Sequence, residues 1–174
     1  EPTFAREFRN IRRYAELNIP ALQAAFFAER RVPGERRAVL LTRALDGWQD
    51  LDSWLPRWHE LDALHRGAIL RACGELARRL HQAGQMHGCF YPKHIFLREQ
   101  GAGVEAQLID LEKTRPLLLG RRDRIKDLEP LLRRARIWNE AEVRELLAAY
   151  LGGAADVDAW WRRLGARQRN KEAR

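Results

Sequence analysis

The stretch MHGCFYPKHIF, residues 86–96, concentrates two histidines, a cysteine, a tyrosine, a lysine and a proline. Imidazole nitrogens ligate metals and a thiol beside an imidazole can act as a nucleophile, so metal and Cys-His chemistry are the first readings. A metal-dependent hydrolase would need further His or acidic ligands close to His87 and His94, and His59, His65 and His81 show no recognised spacing such as H-E-x-x-H. Cys73 and Cys89 are too few for a disulfide framework and neither has a second Cys at zinc-ligand spacing, which fits a reducing compartment. A nucleophilic Cys89 lacks an oxyanion-hole signature, and iodoacetamide labelling near neutral pH would expose it if its pKa were depressed.

The elements that must position this loop are legible from periodicity. Residues 3–17 place Phe4, Phe8, Ile11, Ala15 and Leu17 near helical spacing, with Thr3 as a candidate cap, and the helix ends where Pro20 pushes Ile19 out of helical geometry. ALQAAFFAERR and RRAVLLTRAL flank the turn VPGE and predict a hairpin. GWQDLDSWLPRW reads as a polar and aromatic connection. HRGAILRACGELARRLHQAG then repeats Ile69, Leu70, Cys73, Leu76 and Leu80 on one helical face, closed by Gly84. After the loop, HIFLRE and AQLIDLEK around a glycine turn predict a second hairpin. Beyond Pro116 the chain reads as three helices, one opened by an Asn139–Glu142 capping box, and the last ten residues are polar enough to fray.

The 174 residues suffice for one domain with a core, and no apolar run approaches the roughly 20 residues of a membrane span. The opening EPTFAREFRN has neither an initiator Met nor a signal pattern, so the chain reads as truncated at its start. A net charge of +8 and a pI near 10.3 fit nucleic acid, anionic lipid or a phosphorylated substrate. Because 28 of the 32 cations are Arg, the skew equally reflects a GC-rich genome, and nucleic acid ranks below the other partners. Most Arg pairs, at 12, 30, 36, 78, 121, 133 and 162, read as solvated helix faces, with some left to meet anionic phosphates or head groups.

Helix, hairpin, long helix, special loop, hairpin and helices is the order of a protein-kinase-like core, whose signature is H-R-D-L-x-x-x-N followed by D-F-G. On this chain His87 takes the loop His, Gly88 the Arg, Cys89 the Asp and His94 the Asn, and Asp110 of LIDLE falls at the metal-binding Asp. HGCFYPKHIF with LIDLEKTR and RIKDLEPLLRR resembles, more narrowly, the lipopolysaccharide kinase family, the InaA-like and core-heptose kinase group of Gram-negative bacteria. The resemblance spans roughly residues 4–150, and the tetrapeptide Tyr91-Pro92-Lys93-His94 is its most specific part.

The resemblance implies an α+β, protein-kinase-like fold: a partial N-terminal lobe of helix and antiparallel strands over residues 1–50, then a mostly helical C-terminal lobe over 51–174. The latter would carry the catalytic-type loop 86–97 and the Asp segment 108–112. It implies ATP- and Mg²⁺-dependent phosphorylation of a sugar in the lipopolysaccharide core oligosaccharide, or a lipid-linked sugar, by a cytoplasmic protein peripheral to the inner membrane.

Residue by residue, Asp110 would hold Mg²⁺, with a turn-capping Asp as its plain alternative. His94 would join the nucleotide site as a ligand or as a loop-ordering hydrogen-bonder. His87 would brace backbone. Glu7 would pair with an ATP-anchoring lysine that, with the glycine-rich loop, would precede residue 1. Lys93 would reach the γ-phosphate as a point charge, or stand solvated. Asp127 would hydrogen-bond the catalytic-loop backbone from a helix start.

Cys89 departs from the pattern. A thiol, with a pKa of about 8.5, is a poor replacement for the proton-accepting Asp, although a loose phosphoryl-transfer transition state depends less on a base than on positioning and charge. Three readings stay open: slow catalysis without a base, a substitute carboxylate such as Glu112, or a pseudokinase scaffold of the envelope pathway. Glu112 would otherwise pair with Lys113 or Arg115. Phe90 and Tyr91 would pack the loop, and Trp160 and Trp161 would divide between core packing and partial exposure, or meet a membrane interface. A basic nucleic-acid-binding helical domain is the remaining alternative and predicts a steep salt dependence.

Overall fold

The computed structural model describes residues 2–172. Helix α1 (Thr3–Glu16) opens on Pro2 without a side-chain cap, so Thr3 is its first residue rather than its cap. Its buried residues are Ala5, Ile11 and Tyr14, whereas Phe4 and Leu17 lie exposed. The helix is turned so that Glu7, Asn10, Ile11 and Tyr14, at i, i+3, i+4 and i+7, share the face toward the loop segment 110–114. Phe8 stacks on Phe27 with ring centroids 4.2 Å apart.

Strands β1 (Ala24–Val32) and β2 (Glu35–Thr42) form the first hairpin about Pro33 and Gly34. Arg30 and Arg31 face Arg37 and Arg36 across it, so these pairs sit on strands, not on helices as the solvated-face reading had them. The connection expected at 47–58 is instead ordered: β3 (Gln49–Asp50), a helical turn α2 (Leu51–Trp54) capped by Asp50, and a 3₁₀ turn (Leu55–Glu60). Burial of Leu51, Leu55 and Trp58 drives that order, a tertiary effect that local propensity does not carry.

Helix α3 (Ala63–Gln82) is the spine of the core and buries Ile69, Leu70, Cys73, Leu76 and Leu80. At Gly74 a Cβ would lie 2.4 Å from the Leu146 carbonyl oxygen, so the glycine permits α3 to approach α5 (Glu140–Leu151) closely. The loop leaves α3 through β4 (Gln85–Met86) and a 3₁₀ turn (Pro92–His94) into the second hairpin, β5 (Ile95–Gln100) and β6 (Gly103–Leu108). β3 pairs with β5, giving the order β3-β5-β6. A 3₁₀ turn (Leu111–Lys113) and β7 (Arg115–Pro116) return the chain to β4.

Helices α4 (Arg121–Arg134), α5 and α6 (Val157–Glu172) complete a mostly helical lobe. The Asn139–Glu142 capping box opens α5. Trp160 is buried and Trp161 half-buried. The fraying expected of residues 165–174 is not seen through Glu172, because Lys171 is tied to the buried Glu129 at 2.6 Å; the rest of that expectation, residues 173 and 174, lies outside the described residues. No helix among the described residues is long and apolar enough to cross a membrane.

Candidate active site

The β4–β7 pairing sets Met86 opposite Arg115, so the entry to the loop and the exit from the Asp110 segment are stapled together. The Thr114 hydroxyl donates to the Met86 carbonyl at 2.8 Å and meets the Tyr14 hydroxyl of α1. Asn10 donates to the Leu111 carbonyl at 2.7 Å. One face of α1 is thereby fixed against the segment that carries Asp110.

From the other side comes Asp127, in the second turn of α4 rather than at its start. Its carboxylate is buried and accepts the backbone N–H groups of His87 and Gly88, each at 2.8 Å, and His81 Nε2 at 3.0 Å. With Nε2 donating, His81 Nδ1 accepts from the Tyr150 hydroxyl at 2.7 Å. Five polar groups are satisfied in one network, which fixes loop geometry at little desolvation cost.

His87 is equally determined. Its Nδ1 accepts the Cys89 N–H at 3.2 Å, so Nε2 carries the proton and donates to the Ile109 carbonyl at 2.8 Å. Burial pushes its pKa down, against the opposing pull of Asp127 and the Ile109 hydrogen bond, and the ring is a neutral brace between loop and Asp110 strand. Gly88 sits at φ +81°, and a Cβ there would lie 2.7 Å from the Lys113 carbonyl oxygen. Only glycine meets both conditions.

Asp110 adopts a left-handed backbone, φ 57° and ψ 61°, and its carboxylate is 44% exposed. That conformation costs a non-glycine residue about 1 kcal/mol or more and clusters at functional sites. It aims Oδ2 at His94 Nε2, 3.1 Å away. His94 Nδ1 faces the Cys89 carbonyl at 2.8 Å, and a carbonyl only accepts, so Nδ1 is protonated. Nε2 and the carboxylate are then two acceptors in contact, and a second proton or a cation must lie between them.

Further negative charge gathers here. Burial raises the Glu7 pKa; the Leu111 backbone N–H opposes this, and the Asp110 and Glu112 carboxylates add to it. Glu112 pairs with Arg6 of α1 at 2.9 Å, not with Lys113 or Arg115, the partners its salt-bridge alternative named. Among the described residues no three His, Cys, Asp or Glu side chains converge closely enough to hold a metal by themselves. A cation would draw Asp110, with His94 beside it, and complete its shell from phosphate oxygens and water, which is how Mg²⁺ is usually held.

Cys89 is 7% exposed. The Tyr91 hydroxyl stands beside its thiol; that hydrogen bond, then partial burial, raises the Tyr91 pKa. The Tyr91 ring stacks on His94 at 5.3 Å and carries the Arg134 guanidinium 3.9 Å from its centroid. Phe90 is buried. Lys93 is exposed on the outer side of the 3₁₀ turn. The structure thus brings Glu7, His87, Cys89, His94, Asp110 and Glu112 to one neighbourhood. Sequence reasoning missed Asn10, Tyr14, Thr114 and His81; the i, i+3, i+7 spacing of Glu7, Asn10 and Tyr14 was the available signal.

This arrangement, a buried loop held by a helix acid and facing a strained Asp at a hairpin exit, defines a kinase-like fold of α+β class. The solved structure described as WaaP in complex with acyl carrier protein shares it, with a TM-score of 0.73 and 24% identity over 93% of this chain and 75% of that one. A family model described as lipopolysaccharide kinase (Kdo/WaaP) family matches residues 1–150. The chain belongs to the lipopolysaccharide kinase family. It is similar to protein InaA of Escherichia coli (strain K12), 30% identical over 126 residues, which is 71% of this chain and 56% of that protein. The chain therefore spans just over half the length of that relative.

Proposed function

We propose that the protein is an ATP- and Mg²⁺-dependent kinase that phosphorylates a sugar of the lipopolysaccharide core oligosaccharide, or a lipid-linked sugar. The observation that carries the proposal is the contact of His94 Nε2 with the Asp110 carboxylate on a left-handed backbone, a pair that calls for a positive charge between its members. Asp110, with His94 beside it, would hold Mg²⁺ there, and the ion would supply positive charge to offset the phosphates of ATP.

The chain's own residues then have distinct tasks. Asp110, with His94, would hold the nucleotide's metal; Glu7 of α1 would pair with an ATP-anchoring lysine; His87 braces the loop. Cys89 stands at the position of the proton-accepting Asp, and Glu112 is the carboxylate available as its substitute once released from Arg6. Lys93, exposed in the 3₁₀ turn, would meet phosphate as a point charge. In this reading residues 1–50 belong to the nucleotide-side lobe and 51–174 to the acceptor-side lobe. The work is done on the cytoplasmic side of the inner membrane, whose anionic surface would attract a chain of net charge +8.

The decisive experiment is acceptor-dependent ADP formation by the full-length protein with core oligosaccharide, compared with Asp110→Ala. Turnover that needs acceptor, Mg²⁺ and Asp110 supports the proposal; turnover indifferent to Asp110 refutes it. A second reading, a pseudokinase scaffold, is favoured by one observation, the largely buried thiol side chain of Cys89 where a carboxylate would serve catalysis. It predicts nucleotide binding without transfer.

A further inference from the structure

Between β7 and α4 the chain turns through RPLLLGRR, residues 115–122. Leu118 is 77% and Leu119 58% exposed. Single exposed leucines are ordinary on a protein surface, but two in succession at one loop tip form an apolar patch that marks a contact site.

The loop that carries them is held in place by its backbone. The Leu117 N–H donates to the Gly84 carbonyl at 2.8 Å, the Leu118 and Leu119 N–H groups both donate to Asp123 Oδ2 at 2.9 Å, and the Arg122 N–H donates to the Leu119 carbonyl at 3.1 Å. Asp123 is itself buried, and the two leucine N–H groups hold its carboxyl below the usual carboxylate range. The fold thus spends a buried acid on fixing a turn whose two leucine side chains stay in water. A contact made through them needs little further ordering of the chain.

Positive charge frames the patch. From Arg115 to Lys126 there are five cations and one acid. The acid is the buried Asp123, whereas Arg115, Arg121, Arg122 and Lys126 are exposed. Leucines bordered by cations, with no exposed carboxylate in the segment, complement a surface that is negatively charged outside and apolar just beneath, which is the head-group and acyl boundary of an anionic bilayer. An acidic protein would answer the charges but would also need a preformed apolar pocket for both leucines. A bilayer offers both at every point.

Resting on the reading above that the acceptor stands at the inner membrane, we infer that Leu118 and Leu119 are a wedge that inserts into an anionic bilayer, with Arg115, Arg121 and Arg122 on the lipid head groups. Its position in the fold gives the wedge a consequence. Leu117 is tied to Gly84, the residue before β4, and Arg115 pairs with Met86 in the β4–β7 ladder. The backbone that carries the wedge is therefore the backbone that staples the entry of the catalytic-type loop, and insertion sets the height of that loop above the membrane. A sugar attached to lipid is then met at a fixed distance from the bilayer.

Co-sedimentation of the full-length protein with vesicles of phosphatidylcholine, with and without phosphatidylglycerol, tests the inference. Binding should require phosphatidylglycerol and weaken as salt is raised. Leu118→Ser and Leu119→Ser should each weaken it about tenfold, as loss of a buried leucine side chain implies, with urea midpoints unchanged because both side chains are exposed. Arg121→Gln and Arg122→Gln should each weaken it several-fold. In Leu118→Trp, vesicles with brominated acyl chains should quench more fluorescence than they do in the unaltered protein. Absence of vesicle binding, binding indifferent to both leucines, or no added quenching in Leu118→Trp overturns the inference. Binding of ATP with Mg²⁺, measured on the same samples, reports the kinase reading separately. Leucine-dependent vesicle binding without ATP binding refutes that reading and leaves the wedge standing, and ATP binding without vesicle binding refutes the wedge alone.

Discussion

The carboxylate of Asp127 accepts the backbone N–H of His87 at 2.8 Å, across 40 residues of chain, and the same carboxylate takes the N–H of Gly88. Loop conformation is thus set from α4 rather than by the loop's own sequence. Asp127→Ala would leave two loop N–H groups and His81 without their acceptor. The expected cost is about 3–5 kcal/mol of stability, from several charge-assisted hydrogen bonds lost at once in a buried setting. Urea denaturation measures it, and Asp127→Asn, which keeps one acceptor oxygen, should lose less.

Gly88 makes a second demand on the loop. Gly88→Ala must accommodate both a left-handed backbone and a Cβ 2.7 Å from a backbone oxygen, so a loss of about 2–4 kcal/mol is expected. Because the displaced atom is the Lys113 carbonyl oxygen, movement would be passed to the Asp110 turn, and nucleotide binding should weaken along with stability.

Glu7 predicts the opposite sign. Burial and the neighbouring Asp110 and Glu112 charges raise its pKa in the fold, so above its unfolded value the ionised carboxylate costs stability that the protonated form would not. Glu7→Gln keeps an oxygen for the Leu111 N–H and should raise the denaturation midpoint at neutral pH while lowering ATP turnover. A residue that costs stability yet supports turnover is the expected mark of a functional acid.

Much of the architecture was legible because it is local. Pro33 and Gly34 between apolar runs announced the first hairpin, the Ile69 to Leu80 repeat announced α3, and Asn139 with Glu142 announced α5. Leu51, Leu55 and Trp58 look like connection in the sequence because their order comes from burial against distant helices. The site divided in the same way. Its ligand types stood in the loop sequence, but the Arg6–Glu112 pair joins residues 106 apart and the His81–Asp127–Tyr150 network joins three helices, and no spacing rule encodes either.

Stability should also respond to pH through His87. Its folded pKa lies below the unfolded value of about 6.5, so as pH falls through that value the unfolded chain binds a proton the folded chain refuses, and stability declines. Asp123 and Glu129, both held low in the fold, add their losses only at more acid pH, as it falls toward their folded values. The urea midpoint should therefore fall between about pH 7 and 5.5, and the decline should be shallower in His87→Asn.

Cys89 is the residue at which the enzyme and scaffold readings part. If base catalysis is what the site lacks, Cys89→Asp should raise acceptor-dependent turnover about a hundredfold or more, the lower end of what a positioned base contributes. Unchanged turnover, with ATP affinity intact, would show that positioning and charge neutralisation already carry the reaction.

The most direct test of the nucleotide site is calorimetric binding of ATP with Mg²⁺ to the full-length protein and to Asp110→Ala. Saturable, Mg²⁺-dependent binding that disappears in the variant is the predicted result. Binding that survives without Asp110, or its absence in the unaltered protein, would contradict the account.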